Sequence, residues 1–439
     1  MTPRRQLLSL LASAEFARAY TLTSLTAAFL SYLIARLMSP VTLATIISAL
    51  SIIGLVMLIA RRAELSLLRL APTSLLGFIT VALVSVVWSE NRWDTFTGWL
   101  TLLGYAIIAV TIGHVRDTLQ TVRAIGDTLR WLLSISLGME ILSGVLLDTP
   151  FAIFGIEGNL AFGGPIQGLF GTRNMLGFIA VIALITFVIE WRTQSITHTV
   201  GVFSVSLGAL LALFSASPTA LVLAATVGAA TSALAIIRHT PPSYRITAQW
   251  VLGALVAVAM VLAFALRRRI IRVLDADSDF SLRADLWDMA LDFIAQQPVT
   301  GYGWFGAWER GEYPFTYINF LLGEQHRSAL NAYFDILLQL GWIGLVLFLV
   351  MGGVAIVRSW LVAGMRRSVV YAWTPLVLIT LAVESLFESS TLTGVGWLLL
   401  VLCVLRAGQS RSWRENTDAA HTGAIPTLHP ESDTRDTDR

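Results

Sequence analysis

The sequence predicts an all-α protein that crosses a membrane many times, and two observations lead to this fold class. Its 439 residues are 56% hydrophobic and only 13% charged, whereas soluble domains carry about 25% charged residues. The apolar residues lie in long runs, and a helix needs about 20 mainly apolar residues to cross a bilayer. We therefore expect a polytopic membrane protein.

Twelve runs are candidate transmembrane helices. They are residues 20–37, 41–60, 72–88, 95–113, 128–147, 174–190, 198–216, 219–237, 247–266, 331–357, 370–387 and 391–406. Residues 1–19 precede the nine spans within 20–266, and a long polar loop, residues 267–330, separates these from the three spans within 331–406. The remaining tail, residues 407–439, is polar, and we expect it to be disordered.

The arginines predict the orientation of these spans. The chain contains no lysine, so all 30 basic residues are arginine. With the N-terminus inside, the inner segments hold 20 of them and the short outer loops hold only Arg36, Arg92 and Arg173. Because basic residues accumulate on the cytoplasmic side, we expect cytoplasmic termini and an external long loop in the cytoplasmic (inner) membrane.

The long loop is too long for a simple connection and too rich in aromatic residues for a disordered one. We expect it to fold as an external cap that contains short helices. Other polar turns would face the same side, so their side chains could converge with the loop on one site. These turns are residues 88–94, 148–174, 215–219 and 387–394.

Arg283 is the strongest candidate within the loop. Asp279 or Ser281 could cap a helix that ends before Pro298, and Arg283 and Trp287, four residues apart, would then be neighbours on one helix face. An arginine held in this way suits bidentate contact with phosphate. The alternative is an arginine that pairs with a lipid headgroup or with Asp279.

Two further loop features have a functional and a simpler interpretation. The glycine-rich stretch 298–306 could present backbone N–H groups to an anion, although a plain turn is the simpler interpretation. His326, near Arg327 and Asn331, is a side chain suited to proton transfer near neutral pH. It could equally be an interfacial histidine satisfied by water.

Arg173 and Asn174 lie at the outer start of the sixth predicted span. An arginine there could meet a diphosphate, or it could simply extend its charge to the membrane surface. The sequence predicts no metal site, because the one cysteine, Cys403, lies in an apolar run and only His326 among the six histidines falls on the outer face. We expect no cofactor and no nucleic-acid partner.

Several motifs resemble the O-antigen ligase and Wzy-type polymerase family, especially its exopolysaccharide polymerase-like branch. The motifs are S-L-R-x3-W at 281–287, P-x2-G-x-G at 298–303, N-x-Y-x-D-x3-Q-x-G-x2-G at 331–344 and GLFGTRNMLG at 168–177, with looser matches at 88–93 and 385–390. Together they extend over roughly residues 70–405.

The resemblance implies a metal-independent glycosyltransferase of the GT-C type. Such an enzyme moves a glycan from undecaprenyl diphosphate or a similar polyprenyl diphosphate to a glycan or lipid-glycan acceptor outside the cytoplasmic membrane. It implies a diphosphate-binding Arg283 and an acceptor-activating histidine, here His326. The residues expected to bind substrate are Arg173, Asn174, Trp287, Arg327 and Asn331.

Two positions depart from the family pattern. The family often has arginine where this chain has Pro218, in Ser-Ala-Ser-Pro at 215–218. Its histidine usually precedes the asparagine that matches Asn331, where this chain has Leu330; we treat His326, one helical turn earlier, as the substitute. A non-catalytic transporter or flippase-like protein that handles lipid-linked glycans is the alternative function, and a structural partner of an envelope assembly complex is a third.

Overall fold

The computed structural model describes residues 11, 13–62, 70–266, 269, 277–308 and 311–422, and this part of the chain is helical without a β-strand. The predicted all-α class is confirmed. The side chains of residues 242, 260, 263–264, 277–282 and 410–422 lie outside the description. So do residues 267–268, 270–276 and 309–310 of the long loop and 423–439 of the tail.

The helices are numbered in chain order. They are α1 (Ala14–Phe29), α2 (Ser31–Leu37), α3 (Pro40–Ala60), α4 (Thr73–Val84), α5 (Arg92–Val115), α6 (Thr118–Ile141), α7 (Arg173–Arg192), α8 (His198–Phe214), α9 (Pro218–His239), α10 (Arg245–Ala265), α11 (Asp277–Gln296), α12 (Phe315–Leu322), α13 (Ala332–Met365), α14 (Trp373–Glu384) and α15 (Gly394–Thr422).

Six helices in the described part are long and apolar enough to cross a membrane: α3, α5, α6 with its extension to Leu146, α7, α9 and α13. Five shorter apolar helices lie at 73–87, 198–214, 245–259, 369–384 and 394–409. The chain is therefore an integral membrane protein. The first predicted span, residues 20–37, is not one continuous helix, because the helix breaks at Leu30 between α1 and α2. The count of twelve spans stays a prediction.

The membrane region is built around α7, which packs against α6, α8, α9 and α14. A second group joins α15 to α5, α13 and α14. Buried tryptophans link these helices through their indole N–H groups. Trp373 donates to Thr186 Oγ1 at 3.1 Å, and Trp397 donates to the Leu102 carbonyl at 3.0 Å. A buried indole needs such a partner, so these contacts fix how the helices pack.

The long helix α13 is interrupted at Gly341, whose φ of 60° and ψ of −161° are not helical. The glycine-rich stretch 298–306 docks into this interruption. The N–H groups of Tyr302 and Gly303 donate to the carbonyls of residues 338 and 339 at 3.0 and 2.8 Å, and the Trp342 N–H donates to the Pro298 carbonyl at 2.9 Å. The two glycine motifs of the sequence are thus the two sides of one backbone contact.

The described part of the long loop contains α11 and α12. Helix α11 ends at Gln296, before Pro298 as predicted, but it already includes residue 277. Asp279 and Ser281 therefore lie inside the helix and neither is its cap. The tail also differs from expectation, since α15 continues to Thr422. Residues 409–422 contain neither glycine nor proline, so nothing in this stretch breaks the helix.

Candidate functional site

Arg283 occupies the centre of the candidate site. Its Nη1 group donates to the carbonyls of Leu330, at 3.1 Å, and Phe387. Its Nη2 atom lies 3.2 Å from Glu388 Oε1. The side chain is only 13% exposed, and a charge that is largely removed from water needs such partners. Helix α11, the segment before α13 and the segment after α14 therefore meet at this guanidinium.

The remaining edge of the Arg283 guanidinium carries its Nε–H group. The Nε–H group makes no hydrogen bond with the residues that the structure describes. Nε–H and Nη2 lie on the same edge of the planar group, and together they form a two-donor fork that matches the geometry of phosphate oxygens. Glu388 is the described partner of Nη2.

Glu388 extends the site to the membrane helices. Its Oε1 atom also accepts a hydrogen bond from Asn174 Nδ2 at 2.8 Å. The Oδ1 atom of Asn174 accepts one from Ser217 Oγ at 2.7 Å, and Ser217 caps α9 through the Ala220 N–H. The start of α7, the start of α9 and the loop helix are thus joined. The sequence marks residues 387–394 as a polar turn but carries no signal that distinguishes Glu388 within it.

Asn331 and Trp287 hold the backbone around Arg283. Asn331 is buried and caps α13, accepting from the N–H groups of residues 333 and 334 at 3.0 and 3.2 Å. Its Nδ2 donates to the Leu386 carbonyl at 3.1 Å. Trp287 Nε1 donates to the Ala329 carbonyl at 2.8 Å. Both side chains therefore hold the segments that carry the acceptor carbonyls of Arg283.

The rest of the motif that begins at Asn331 anchors the loop. Asp335 is fully buried and accepts hydrogen bonds from Trp308 Nε1 at 2.6 Å, the Ala329 N–H at 3.0 Å and Ser389 Oγ. Gln339 Oε1 accepts from the N–H groups of residues 305 and 306 at 2.8 and 2.9 Å. These two side chains hold the loop against the membrane helices.

The interpretation of the stretch 298–306 as an anion-binding loop is wrong. Most of its N–H groups already have protein acceptors: that of Gly301 the Gln297 carbonyl, that of Trp304 Ser85 Oγ, and those of residues 302, 303, 305 and 306 acceptors in α13. A Cβ atom at Gly301, where φ is 63°, would lie 2.5 Å from the Gln339 carbonyl carbon. The glycines allow close backbone packing, and the simpler interpretation as a turn is correct.

His326 lies in an irregular segment between α12 and α13. Helix α13 begins only at Ala332, and Leu330 has a left-handed φ of 49°. The expectation that His326 sits one helical turn before Leu330 is therefore wrong. The segment is fixed instead by Asn319, which accepts from the His326 N–H at 3.0 Å and donates to its carbonyl at 2.9 Å.

The electrostatic surroundings of His326 favour the neutral imidazole. Burial lowers its pKa below the ordinary value of 6.5, and the Arg283 charge lowers the pKa further. Glu324, whose Oε2 lies 3.3 Å from His326 Nε2, raises it. A neutral imidazole can accept a proton from a hydroxyl. Arg283 is close enough for its charge to act on His326.

The two other predicted arginines lie around this centre. Arg173 is the first residue of α7, next to Asn174, and is partly buried. Arg327 is exposed, and its carbonyl accepts from the Trp308 N–H at 2.8 Å. The structure thus links Asn174 to Arg283 through Glu388, and links Trp287 and Asn331 to Arg283 through the backbone segments that they hold. Arg173 and Arg327 are neighbours of these residues along the chain.

Comparison with known proteins supports the family resemblance. Residues 202–349 match the model of a family described as O-antigen ligase. The match covers Arg283, His326 and the motifs at 298–303 and 331–344. Asn174 and Glu388, which complete the network in the structure, lie outside it. No curated protein matches the chain.

Proposed function

We propose that this chain, a membrane protein of the O-antigen ligase and Wzy-type family, is a glycosyltransferase of the GT-C type. Its substrate would be an oligosaccharide linked to a polyprenyl diphosphate. It would ligate or polymerise this glycan at the outer face of the cytoplasmic membrane for a cell-surface polysaccharide. The observation that carries the proposal is the Arg283 guanidinium, held by the Leu330 and Phe387 carbonyls and by Glu388, while its Nε–H makes no hydrogen bond with the described residues.

The donor chemistry explains the need for such an arginine. When the bond between the sugar and the diphosphate breaks, the diphosphate gains negative charge. A preorganised cation aimed at that charge lowers the barrier. The Leu330 and Phe387 carbonyls and Glu388 hold Arg283 in place before the donor binds. The Nε–H edge would then take the diphosphate oxygens, with Arg173 as a second cation from the start of α7.

The acceptor chemistry assigns the role of base to His326. A hydroxyl group becomes a better nucleophile when a base removes its proton as the new glycosidic bond forms. Burial and the charge of Arg283 lower the pKa of His326, so its neutral imidazole is suited to accept that proton. The proton balance is complete, because the base takes the hydroxyl proton and the diphosphate leaves with the bonding electrons.

Purified protein in nanodiscs tests this proposal directly. A polyprenyl-diphosphate oligosaccharide and a hydroxyl acceptor are supplied with EDTA, and released polyprenyl diphosphate and extended glycan are measured by mass spectrometry. Stoichiometric release of carrier with growth of the acceptor supports the transferase. If the donor crosses the bilayer of proteoliposomes while no carrier is released, the flippase-like function replaces it.

A further inference from the structure

A second charged site lies at the other end of the molecule. Helix α5 starts beside the loop, where Asn91 Nδ2 donates to Glu312 Oε1 at 2.8 Å. It then runs 24 residues to Val115, a length of about 36 Å at about 1.5 Å per residue. Just past its end lies a cavity of about 290 Å³ lined by Arg18, Arg116, Arg123 and Asp127, together with Leu22, Gln120 and Ala124. This basic pocket is separate from the Arg283 site.

Three arginines in one pocket repel one another, and Asp127 is the carboxylate that lines the pocket with them. Burial lowers the pKa of Arg116 most, Asp117 raises it, and the nearby charge of Arg18 lowers it by a smaller amount. The carboxylate in the pocket, Asp127, pairs with Arg130 instead, with Oδ1 2.8 Å from Nη1. Like charges brought together at a partly buried site favour the binding of an anion.

A buried donor without a hydrogen-bond partner also indicates that the pocket binds an anion. Arg116 Nε is buried and makes no hydrogen bond with the described residues, which is costly for a charged group. The Arg116 carbonyl is used, since it accepts from Arg406 Nη2 at 2.7 Å and so fixes the backbone. The described residues leave this Nε–H without a partner, and a phosphate oxygen bound in the pocket would satisfy it.

We propose that the basic pocket of Arg18, Arg116 and Arg123 binds a phosphate group, carried by the headgroup of an anionic phospholipid. The pocket lies at helix ends of a membrane protein, on the side to which the arginine bias assigns the cytoplasm. Basic pockets between transmembrane helices at that surface suit anionic lipid headgroups, and arginine forks match phosphate oxygens. The site is independent of the transfer reaction, so neither proposal depends on the other.

The test uses the full-length protein, delipidated in neutral detergent. Phosphatidylglycerol, phosphatidylcholine or inorganic phosphate is added, and binding is followed by native mass spectrometry and thermal unfolding. We expect phosphatidylglycerol to bind and raise the melting temperature, while phosphatidylcholine does not. The double variant Arg116→Gln/Arg123→Gln should bind phosphatidylglycerol at least about tenfold more weakly. Gln keeps the residue 116 carbonyl on which Arg406 depends.

Arg192→Gln is the matched control. Arg192 is an exposed arginine at the end of α7 on the same side, and it does not line the pocket. Its variant should bind phosphatidylglycerol like the wild type. Equal weakening by this control, or undiminished binding by the double variant, would overturn the site. Arginine-dependent stabilisation by inorganic phosphate alone, with no preference for the lipid, would support a phosphate site and assign it to the free anion.

Discussion

Arg283 and Asn174 share one carboxylate oxygen: Glu388 Oε1 lies 3.2 Å from Arg283 Nη2 and accepts from Asn174 Nδ2 at 2.8 Å. Glu388 follows Arg283 by 105 positions in the chain. The oxygen ties the loop helix α11 to the first turn of α7. A carboxylate in this position fixes the direction in which the guanidinium presents its remaining donors.

Glu388→Ala should reduce transfer, because Arg283 and Asn174 lose their shared acceptor. Hydrogen bonds to charged groups contribute about 1.5–3 kcal/mol, so we expect kcat/KM to fall by about tenfold or more. Glu388→Gln keeps an acceptor oxygen without the charge and should be less affected. The measurement is kcat/KM in the reconstituted transfer assay. Equal activity of the Ala variant and wild type would show that Arg283 is held well enough by the two carbonyls.

The pH dependence of transfer should report His326. The base must be neutral, so the rate should fall as pH drops through the pKa of His326, which burial places below 6.5. Glu324 raises this pKa, so Glu324→Gln should move the acid limb of kcat/KM to still lower pH. His326→Ala should lose about 10²–10⁴-fold in rate. An acid limb that is unchanged in both variants would remove His326 from the reaction.

Gly341→Ala should destabilise the protein and loosen the loop. The backbone φ at residue 341 is 60°, and an added Cβ would lie 2.3 Å from the Val299 carbonyl carbon. Such strain costs about 1–3 kcal/mol. Thermal unfolding in detergent measures the effect. Gly352→Ala in the same helix is the matched control, since its Cβ would meet no atom within 4 Å. A Gly341 variant as stable as this control would contradict the docking role.

The orientation predicted from the arginines can be tested by cysteine labelling. Asp288 is exposed on α11 and Arg192 is exposed at the end of α7, and the native Cys403 is buried. Asp288→Cys should react with an impermeant maleimide in intact cells, and Arg192→Cys only after lysis. The reverse pattern would place the Arg283 site in the cytoplasm and remove the proposed outer-face reaction.

Much of the helical fold could be predicted from the sequence, because runs of apolar residues have few alternatives in a membrane. The break at Leu30 could not, since residues 20–37 contain no proline or glycine to mark it. Likewise, a helix that ends before Pro298 and carries Arg283 and Trp287 could be predicted, but its start at Asp277 could not.

The site was only partly predictable, because its partners come together through tertiary contacts. Arg283 and Asn174 were found from chemistry and from family motifs. Glu388 lies in a polar turn, where a carboxylate is most often solvated, and only the fold places it against Arg283. The position of His326 differs from the prediction because α13 does not extend back to residue 326: it begins at Ala332, with Asn331 as its N-cap.

The central claim is that Arg283 stabilises the departing diphosphate, and substitution of this residue tests it most directly. Transfer is measured with purified protein, a polyprenyl-diphosphate oligosaccharide and an acceptor, for Arg283→Ala and Arg283→Lys. Arg192→Gln serves as the control, and thermal unfolding verifies that each variant is folded. We predict no detectable transfer by Arg283→Ala and greatly reduced transfer by Arg283→Lys, because a point charge cannot supply the two-donor fork. Full activity of a folded Arg283→Ala protein would contradict the account.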